Sequence, residues 1–265
     1  MAITTFDQYL AAPKQNIQFK KTTGITVTAN APFSLFTVAG YPTAGAVAVG
    51  DTTTGIVPVA GTTGYPAINA FVGANVGYIT RASATGNAST RHVIYDCLFA
   101  FGAVPATATT NVTTPPSFVS RLPGGYYDGL QIWVEWATAG AGAQSVSISY
   151  TNEFGVAART TGTVATAITA GAVGSMARIP LQNGDNGVQS IQSITLSVAT
   201  AGTLNVYIMR PLLTISNMYG VGECLSLDGT GMPIVYATSA LRFVTMSMGG
   251  TTTGVPIVNL EIANG

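Results

Sequence analysis

LQIWVEWAT at residues 130–138 alternates between two kinds of side chain along its whole length. The first set is apolar and consists of Leu130, Ile132, Val134 and Trp136. The intervening set consists of Gln131, Trp133 and Glu135. Because successive side chains of a strand point to opposite faces, this pattern predicts a β-strand with one face packed into a core. SVSISYT at 145–151 continues the alternation with serines, so the second face is expected to be wet or paired with a polar partner.

Short segments of this kind recur along the chain and are separated by turn residues. They include RHVIYDCLFAFG at 91–102, TLNVYIMRPLL at 203–213, ALRFVTMSM at 240–248 and PIVNLEIA at 256–263. NGDNG at 183–187 and Asp228-Gly229 are signals for tight turns between antiparallel strands. Roughly ten or more short strands without a crossover helix predict an all-β fold, an antiparallel β-sandwich that is jelly-roll-like.

The N-terminal segment TTFDQYLAA has helical rather than strand spacing. Phe6, Tyr9 and Leu10 fall at i, i+3 and i+4, which is one face of a helix. Thr5 can cap the first turn, and Pro13 is expected to end the helix. The sequence therefore predicts a short helix at the start of the chain.

The domain organisation follows from these segments. We expect residues 1–22 to form an N-terminal arm, a short helix followed by an extended connection, and residues 23–265 to form the β-sandwich. The composition changes near residues 103–118 from Gly- and Pro-rich segments to regular alternation, so a second domain could begin there. We favour the alternative, a single sandwich whose first half carries long loops.

Charge is scarce and balanced in this chain of 265 residues. Ten Lys and Arg offset ten Asp and Glu, and charged residues make up 8%, against about 25% in an ordinary soluble domain. No basic stripe is present, so we expect no nucleic-acid partner. No apolar run approaches about 18 residues, and residues 1–15 lack the regions of a signal peptide. We therefore expect no membrane span and synthesis in a reducing cytoplasm.

Side chains that could carry chemistry are few and dispersed. His92 is the only histidine, and a structural role in a buried strand is its favoured interpretation. The acidic residues stand singly, and NGDNG at 183–187 lacks the later Glu of a calcium loop. Cys97 and Cys224 fit neither a disulfide framework nor a zinc spacing, so we expect two buried thiols, although a single bridge stays open. We therefore predict no catalytic residue, no cofactor, no metal and no enzyme activity.

Two kinds of surface could serve assembly. Polar faces such as Ser145, Ser147 and Ser149 can form hydrogen-bonded contacts between subunits, or can simply be solvated sheet surface. A second such face contains Ser193, Thr195 and Ser197. The apolar turn of the arm, with Phe6, Tyr9 and Leu10, can dock on a neighbouring subunit or fold back on its own sandwich. These three arm residues are the predicted assembly contacts.

Three segments carry a resemblance to a known group of proteins. They are TTFDQYLAAPKQ at 4–15, SISYTNEFGVAART at 147–160 and PLQNGDNGVQSIQSITLSVATAGTLNVYIMRPLL at 180–213. This wording resembles structural proteins of tailed bacteriophage virions, in which a "YTN…G" turn and a stretch ending in "RPLL" recur. The resemblance implies a virion component and leaves head or tail open. The major shell protein is not expected, because its fold has a long helix.

We expect a head decoration or cement protein that binds the assembled capsid. Its partners would be the major capsid protein or other virion proteins and further copies of itself, as a homotrimer. The expected location is the virion, after synthesis in the host cytoplasm. A tail or baseplate component is one alternative. Another is a carbohydrate-binding module for host attachment, with Trp133, Tyr126 and Tyr127 as its aromatic residues, and an enzyme that degrades host polysaccharide is the most distant one.

Overall fold

The computed structural model describes residues 3–29, 31–47, 49, 51–73, 76–106, 109–140, 145–165, 172–197, 201–218 and 221–265. The helices are α1 (Phe6–Ala11), α2 (Leu227–Thr230) and two 3₁₀ turns at Val119–Arg121 and Pro123–Gly125. The strands are β1 (Lys14–Lys21), β2 (Ile25–Val27), β3 (Phe33–Ser34), β4 (Gly40–Tyr41), β5 (Val76–Thr85), β6 (Thr90–Pro105), β7 (Thr110–Asn111), β8 (Gln131–Thr138), β9 (Ser145–Asn152), β10 (Arg159–Thr160), β11 (Val164–Ala165), β12 (Met176–Ile179), β13 (Val188–Leu196), β14 (Thr203–Met218), β15 (Val221–Leu225), β16 (Ile234–Tyr236), β17 (Leu241–Ser247), β18 (Thr252–Gly254) and β19 (Ile257–Asn264).

Helix α1 begins with the predicted cap. Thr5 Oγ1 accepts a hydrogen bond from the Gln8 amide at 3.2 Å, and Gln8 Oε1 accepts one from the Thr5 amide at 3.1 Å. This reciprocal pair satisfies amides that the first turn leaves without helical partners. Lys14 Nζ donates to the carbonyl of Tyr9 at 2.7 Å at the other end of the helix. Among the described residues, no helix is long and apolar enough to span a membrane.

Strands β6 and β14 form the spine of the molecule. Each has sixteen residues, and they pair antiparallel from Thr203 opposite Pro105 to Asn217 opposite Thr90. Three shifts of register, which are β-bulges or similar irregularities, interrupt this ladder. A bulge bends and twists a strand, so a pair of this length can curve and contribute to more than one core.

The first core is a sandwich. One layer is formed by β6, β8 and β14, and the other is the sheet β10-β9-β13-β7. Ile132 and Trp136 of β8 and Ile148 and Tyr150 of β9 are buried together, so the predicted core-facing sides of both strands are confirmed. The second face of β8, which carries Trp133 and Glu135, is buried as well. The fold is mostly β with antiparallel sheets and few short helices, as predicted.

The second core lies inside a curled sheet. The order of its strands is β17-β6-β14-β15-β5-β19-β1, which places β1 and β17 six steps apart. The rings of Phe19 on β1 and Phe243 on β17 nevertheless lie 3.9 Å apart. The sheet must therefore curl back on itself, as a half-barrel around these side chains.

Residues 14–21, expected as an extended connection, instead form the integral strand β1. It pairs with β19 from Lys14 opposite Ala263 to Lys20 opposite Ile257. The reason is the alternation of Ile17 and Phe19 with polar residues, which buries two apolar side chains in the second core. The division of the chain near residues 103–118 stays a prediction, and β6 and β14 contribute to both cores.

Candidate functional site

His92 lies in the interior, between two hydroxyl groups. Its Nε2 is 3.0 Å from Thr90 Oγ1, and its Nδ1 is 2.9 Å from Thr245 Oγ1. Burial lowers the pKa of His92 to about 4. The imidazole is therefore neutral near pH 7 and has two hydrogen-bonding partners, which supports the structural role expected for it.

The buried imidazole predicts a loss of stability in acid. The pKa is about 4 in the folded state and 6.5 when the group is unperturbed, so the unfolded chain binds more protons between these values. The free energy of unfolding should therefore fall by about 3 kcal/mol from pH 6.5 to pH 4, and His92 should contribute no pH dependence above that window. Urea unfolding at half-unit pH steps measures this loss.

The control for the pH series is His92→Gln, which keeps a polar side chain but cannot titrate. Its absolute stability is expected to be lower than that of the natural chain. Its loss of stability between pH 6.5 and pH 4 should be smaller by about 3 kcal/mol. An identical loss in both proteins would show that other groups cause the acid sensitivity.

Asp96 is the centre of a buried polar cluster. It is fully buried on β6 and forms ion pairs with Arg121 and with Arg210, the latter at 3.4 Å. Ser239 Oγ donates to its Oδ2 at 2.8 Å, and the Ala240 amide donates to its Oδ1 at 3.1 Å. Four donors thus occupy this carboxylate, which leaves it no role as a proton acceptor for a substrate.

Glu135 occupies a second buried cluster, where the first core meets the half-barrel. Arg242 Nη2 donates to Glu135 Oε2 at 2.7 Å, and the Tyr207 hydroxyl donates to the same oxygen. The guanidinium lies between two rings, 4.5 Å from the centre of Phe36 and 4.1 Å from that of Tyr207. Burial is the largest single influence and lowers the pKa of Arg242, but Glu135 together with Tyr207, Tyr65 and Cys97 outweighs it, so the pKa of Arg242 is raised. Glu135 therefore forms an ion pair on the second face of β8, which is buried rather than wet.

The NGDNG segment forms a turn, and its carboxylate is occupied by protein donors. Arg159 Nε and Nη2 each donate to Asp185 at 2.8 Å, and Asn152 Nδ2 donates at 2.9 Å. The Tyr150 hydroxyl donates to it as well, at 2.5 Å. Hydrogen bonding from Arg159 lowers the pKa of Asp185 to about 2. Among the described residues, no three His, Cys, Asp or Glu side chains are grouped so that they could hold a metal ion.

Two expectations about single side chains are wrong. Cys97 and Cys224 are both free thiols, and Cys224 is exposed rather than buried because β15 lies open to solvent along most of its length. Trp133 was one of the aromatic residues for sugar binding, but it is 4% exposed. Its ring packs edge-on against Tyr95 at 5.7 Å, and its Nε1 donates to Gln131 at 3.0 Å.

The other two aromatic candidates do not converge with Trp133 on one surface. Tyr127 is partly buried and packs edge-on against Phe118, with ring centres 5.9 Å apart. Tyr126 is exposed. A sugar platform needs several exposed rings on one face, and of these three rings only Tyr126 is fully open to solvent.

The arm presents two apolar side chains to solvent. Phe6 is 63% and Leu10 58% exposed. Tyr9 instead folds back on the sheet, where its hydroxyl donates to Glu261 Oε1 at 3.0 Å. Lys14 Nζ lies 4.5 Å from the centre of the Tyr9 ring. Tyr9 thus fixes the helix to the body, and Phe6 and Leu10 remain the predicted assembly contacts.

The hydroxyl-rich face of β9 and β13 is half-buried along β9 and partly exposed along β13, where Thr195 is open to solvent, and its groups contact one another. Ser149 Oγ donates to Gln192 Oε1 at 3.1 Å, and the hydroxyls of Thr109 and Thr195 are 3.1 Å apart. Side chains on β9 alternate between half-buried and buried along the whole strand. The outward Ser and Thr groups of these two strands bear no charge, which lowers the cost of covering this face.

No family model matches the chain, and no curated protein matches it either. Among solved structures it has weak similarity to the VP2 subviral particle of infectious bursal disease virus, with a TM-score of 0.22, 9% identity, and coverage of 97% of this chain and 81% of that one. The Gx strain of the same virus gives a TM-score of 0.16, 12% identity, and coverage of 96% and 84%. Structural similarity this low says nothing about the function of this chain.

Proposed function

We propose that this chain is a non-enzymatic structural protein of a bacteriophage virion. In its specific form, the proposal is a head decoration or cement protein that binds the assembled capsid as an oligomer and stabilises it. The observation that carries the proposal is a surface that is poor in charge. The resemblance of three segments to phage structural proteins supports the virion as its location.

Burial makes the outer surface poorer in charge than the composition indicates. Five of the twenty charged side chains are buried: Lys21, Asp96, Arg121, Glu135 and Arg242. A free soluble protein usually carries about 25–35% charged residues on its surface. Surfaces that become covered in permanent assemblies are depleted of charge at their centres, because uncharged groups cost less to desolvate.

Two of the three segments that carry the resemblance, residues 147–160 and 180–213, are connected in the structure. Glu153, in the turn after β9, accepts hydrogen bonds from the amides of Asn186 at 2.8 Å and Gly187 at 3.0 Å. Arg159 and Asp185 join the same two segments through their ion pair. These two segments therefore lie in one unit, formed by β9, β10 and β13 and held together by the hydrogen bonds of Glu153 and the ion pair of Arg159 with Asp185. This arrangement favours a structural role for these residues.

The interior is suited to bearing load. The two sixteen-residue strands of the spine contribute to both cores. Two buried ion-pair clusters join β6 to β14 and to the Val119–Arg121 turn, and β8 to β17. Close-packed interiors have low compressibility and transmit strain. A block of this kind could brace a shell against internal pressure.

The oligomer is tested by sedimentation velocity over a range of concentrations. We expect a stable species near three times the 27.0 kDa of the chain. Because a symmetric assembly repeats each interface, a modest contact surface suffices. A single species of 27.0 kDa at every concentration would contradict the trimer.

Phe6→Ser combined with Leu10→Ser tests the predicted contacts of the arm. Both side chains are mostly exposed, so the free energy of unfolding should change by no more than about 0.5 kcal/mol. Binding to shells that lack the protein should weaken about tenfold or more, because aromatic and apolar anchors dominate interface energy. Co-pelleting of the purified chain with such shells measures the binding.

The matched control for the arm is Phe154→Ser, which removes an aromatic side chain of similar exposure from the turn after β9. It should bind shells as the natural chain does. If the arm variant bound as tightly as this control, the arm would not be the contact.

A further inference from the structure

Lys21 is an interior cation without a carboxylate partner among the described residues. The alternation of β1 turns its side chain inward with Ile17 and Phe19, and it is 2% exposed. Its Nζ donates to the carbonyl oxygen of Pro42 at 2.9 Å. The four ion pairs found in the described part of the chain do not include it. Its neighbour Lys20 points outward and is exposed.

A small cavity lies beside Lys21. Its volume is about 10 Å³, which is room for one small species. Two cationic residues line it, Lys21 and Arg242, and no acidic residue does. The remaining lining is apolar side chains, Pro42 and Gly64.

Arg242 is only partly satisfied by its protein partners. Its Nη2 is bonded to Glu135 and to Ser34, but Nε and Nη1 have no direct hydrogen-bond partner among the described residues. Arg242 has one carboxylate partner, whereas Lys21 has none among the described residues, so the positive charge of Lys21 is left uncompensated. A buried charge without a counter-charge is costly.

We propose that the cavity binds a monovalent anion of the size of chloride between Lys21 and Arg242. The space has room for one small species, and a single-atom anion is the simplest one that also supplies the missing negative charge. Water would complete hydrogen bonds but would leave the charge uncompensated. Burial lowers the pKa of Lys21 to about 8. Because this value still lies above 7, the ammonium is largely charged at pH 7 and can hold the anion.

Thermal unfolding in chloride and in gluconate at equal ionic strength tests this site. Replacing 100 mM sodium gluconate by sodium chloride should raise the Tm by about 3 °C if the anion binds with a Kd of about 10 mM. Lys20→Met, the matched exposed control, should show the same rise, and Lys21→Met should show none. An equal Tm in the two salts for the natural chain, or an equal rise in all three proteins, would overturn the proposal.

A second measurement needs no variant. Crystals of the natural chain grown in sodium bromide should show an anomalous scattering peak in the cavity beside Lys21 and Arg242. A water molecule without anomalous signal at that position would overturn the proposal. Arg242 is left unchanged in both experiments because its ion pair with Glu135 supports the fold.

Discussion

Replacing Asp96 by asparagine is expected to lower the free energy of unfolding by about 3–5 kcal/mol. Asp96 is fully buried and is the carboxylate that compensates Arg121 and Arg210. The asparagine keeps the shape but removes the charge, so both guanidinium groups lose their counter-ion in the interior. Breaking a buried pair from one side leaves an uncompensated charge, which costs more than the intact pair contributes.

Urea unfolding at pH 7 measures the effect of Asp96→Asn. The matched control is Asp128→Asn, because Asp128 is exposed and forms no ion pair in the described part of the chain. That control should change the free energy of unfolding by no more than about 0.5 kcal/mol. If Asp96→Asn cost less than about 1 kcal/mol, the Asp96 carboxylate would not be compensating the two buried guanidinium groups as described.

The variant Glu135→Gln should also lose about 3–5 kcal/mol of stability. Glu135 is the ion-pair partner of Arg242, and both side chains are almost fully buried. The loss should be smaller in the double variant Glu135→Met with Arg242→Met, because both charges of the pair are removed together and neither is left without its partner. A double variant less stable than the single one would contradict this explanation.

The control for Glu135→Gln is Glu223→Gln on the exposed strand β15. It makes the same change of atoms on the surface, where it should cost little. Equal losses for the two variants would show that the amide itself, and not the lost charge in the interior, is responsible.

The sequence predicted the architecture where the signal is local. The alternation over residues 130–138 and 145–151 specifies strands β8 and β9, and the spacing of the arm specifies helix α1 with its cap at Thr5. Each of these patterns depends on neighbours within a few positions. Strand type and facing direction can therefore be predicted without knowledge of the partner strand.

Partners far apart in sequence could not be predicted in this way. Strand β1 pairs with β19 at the opposite end of the chain, so its strand character was missed. Glu135 was placed on the correct face, but its partner Arg242 lies 107 positions away. Alternation shows which side chains share a face, and it does not show whether that face is wet or buried.

The cavity beside Lys21 and the contacts of the arm were the features least accessible to prediction from the sequence. Lys21 follows Lys20 directly in the sequence, and only the alternation of Ile17 and Phe19 could have indicated that Lys21 points inward and Lys20 outward. The assembly contacts of the arm remain predictions from its spacing. Surface function leaves little mark in a sequence, because exposed positions tolerate many residue types.

The most direct test of the proposed decoration role is the copy number of this chain in purified particles of the virus whose genome encodes it. Quantitative mass spectrometry against the major shell protein measures it. We expect many copies, on the scale of the shell itself, and a few copies per particle would indicate a tail or baseplate component instead. Complete absence of the chain from purified, infectious particles would contradict the account.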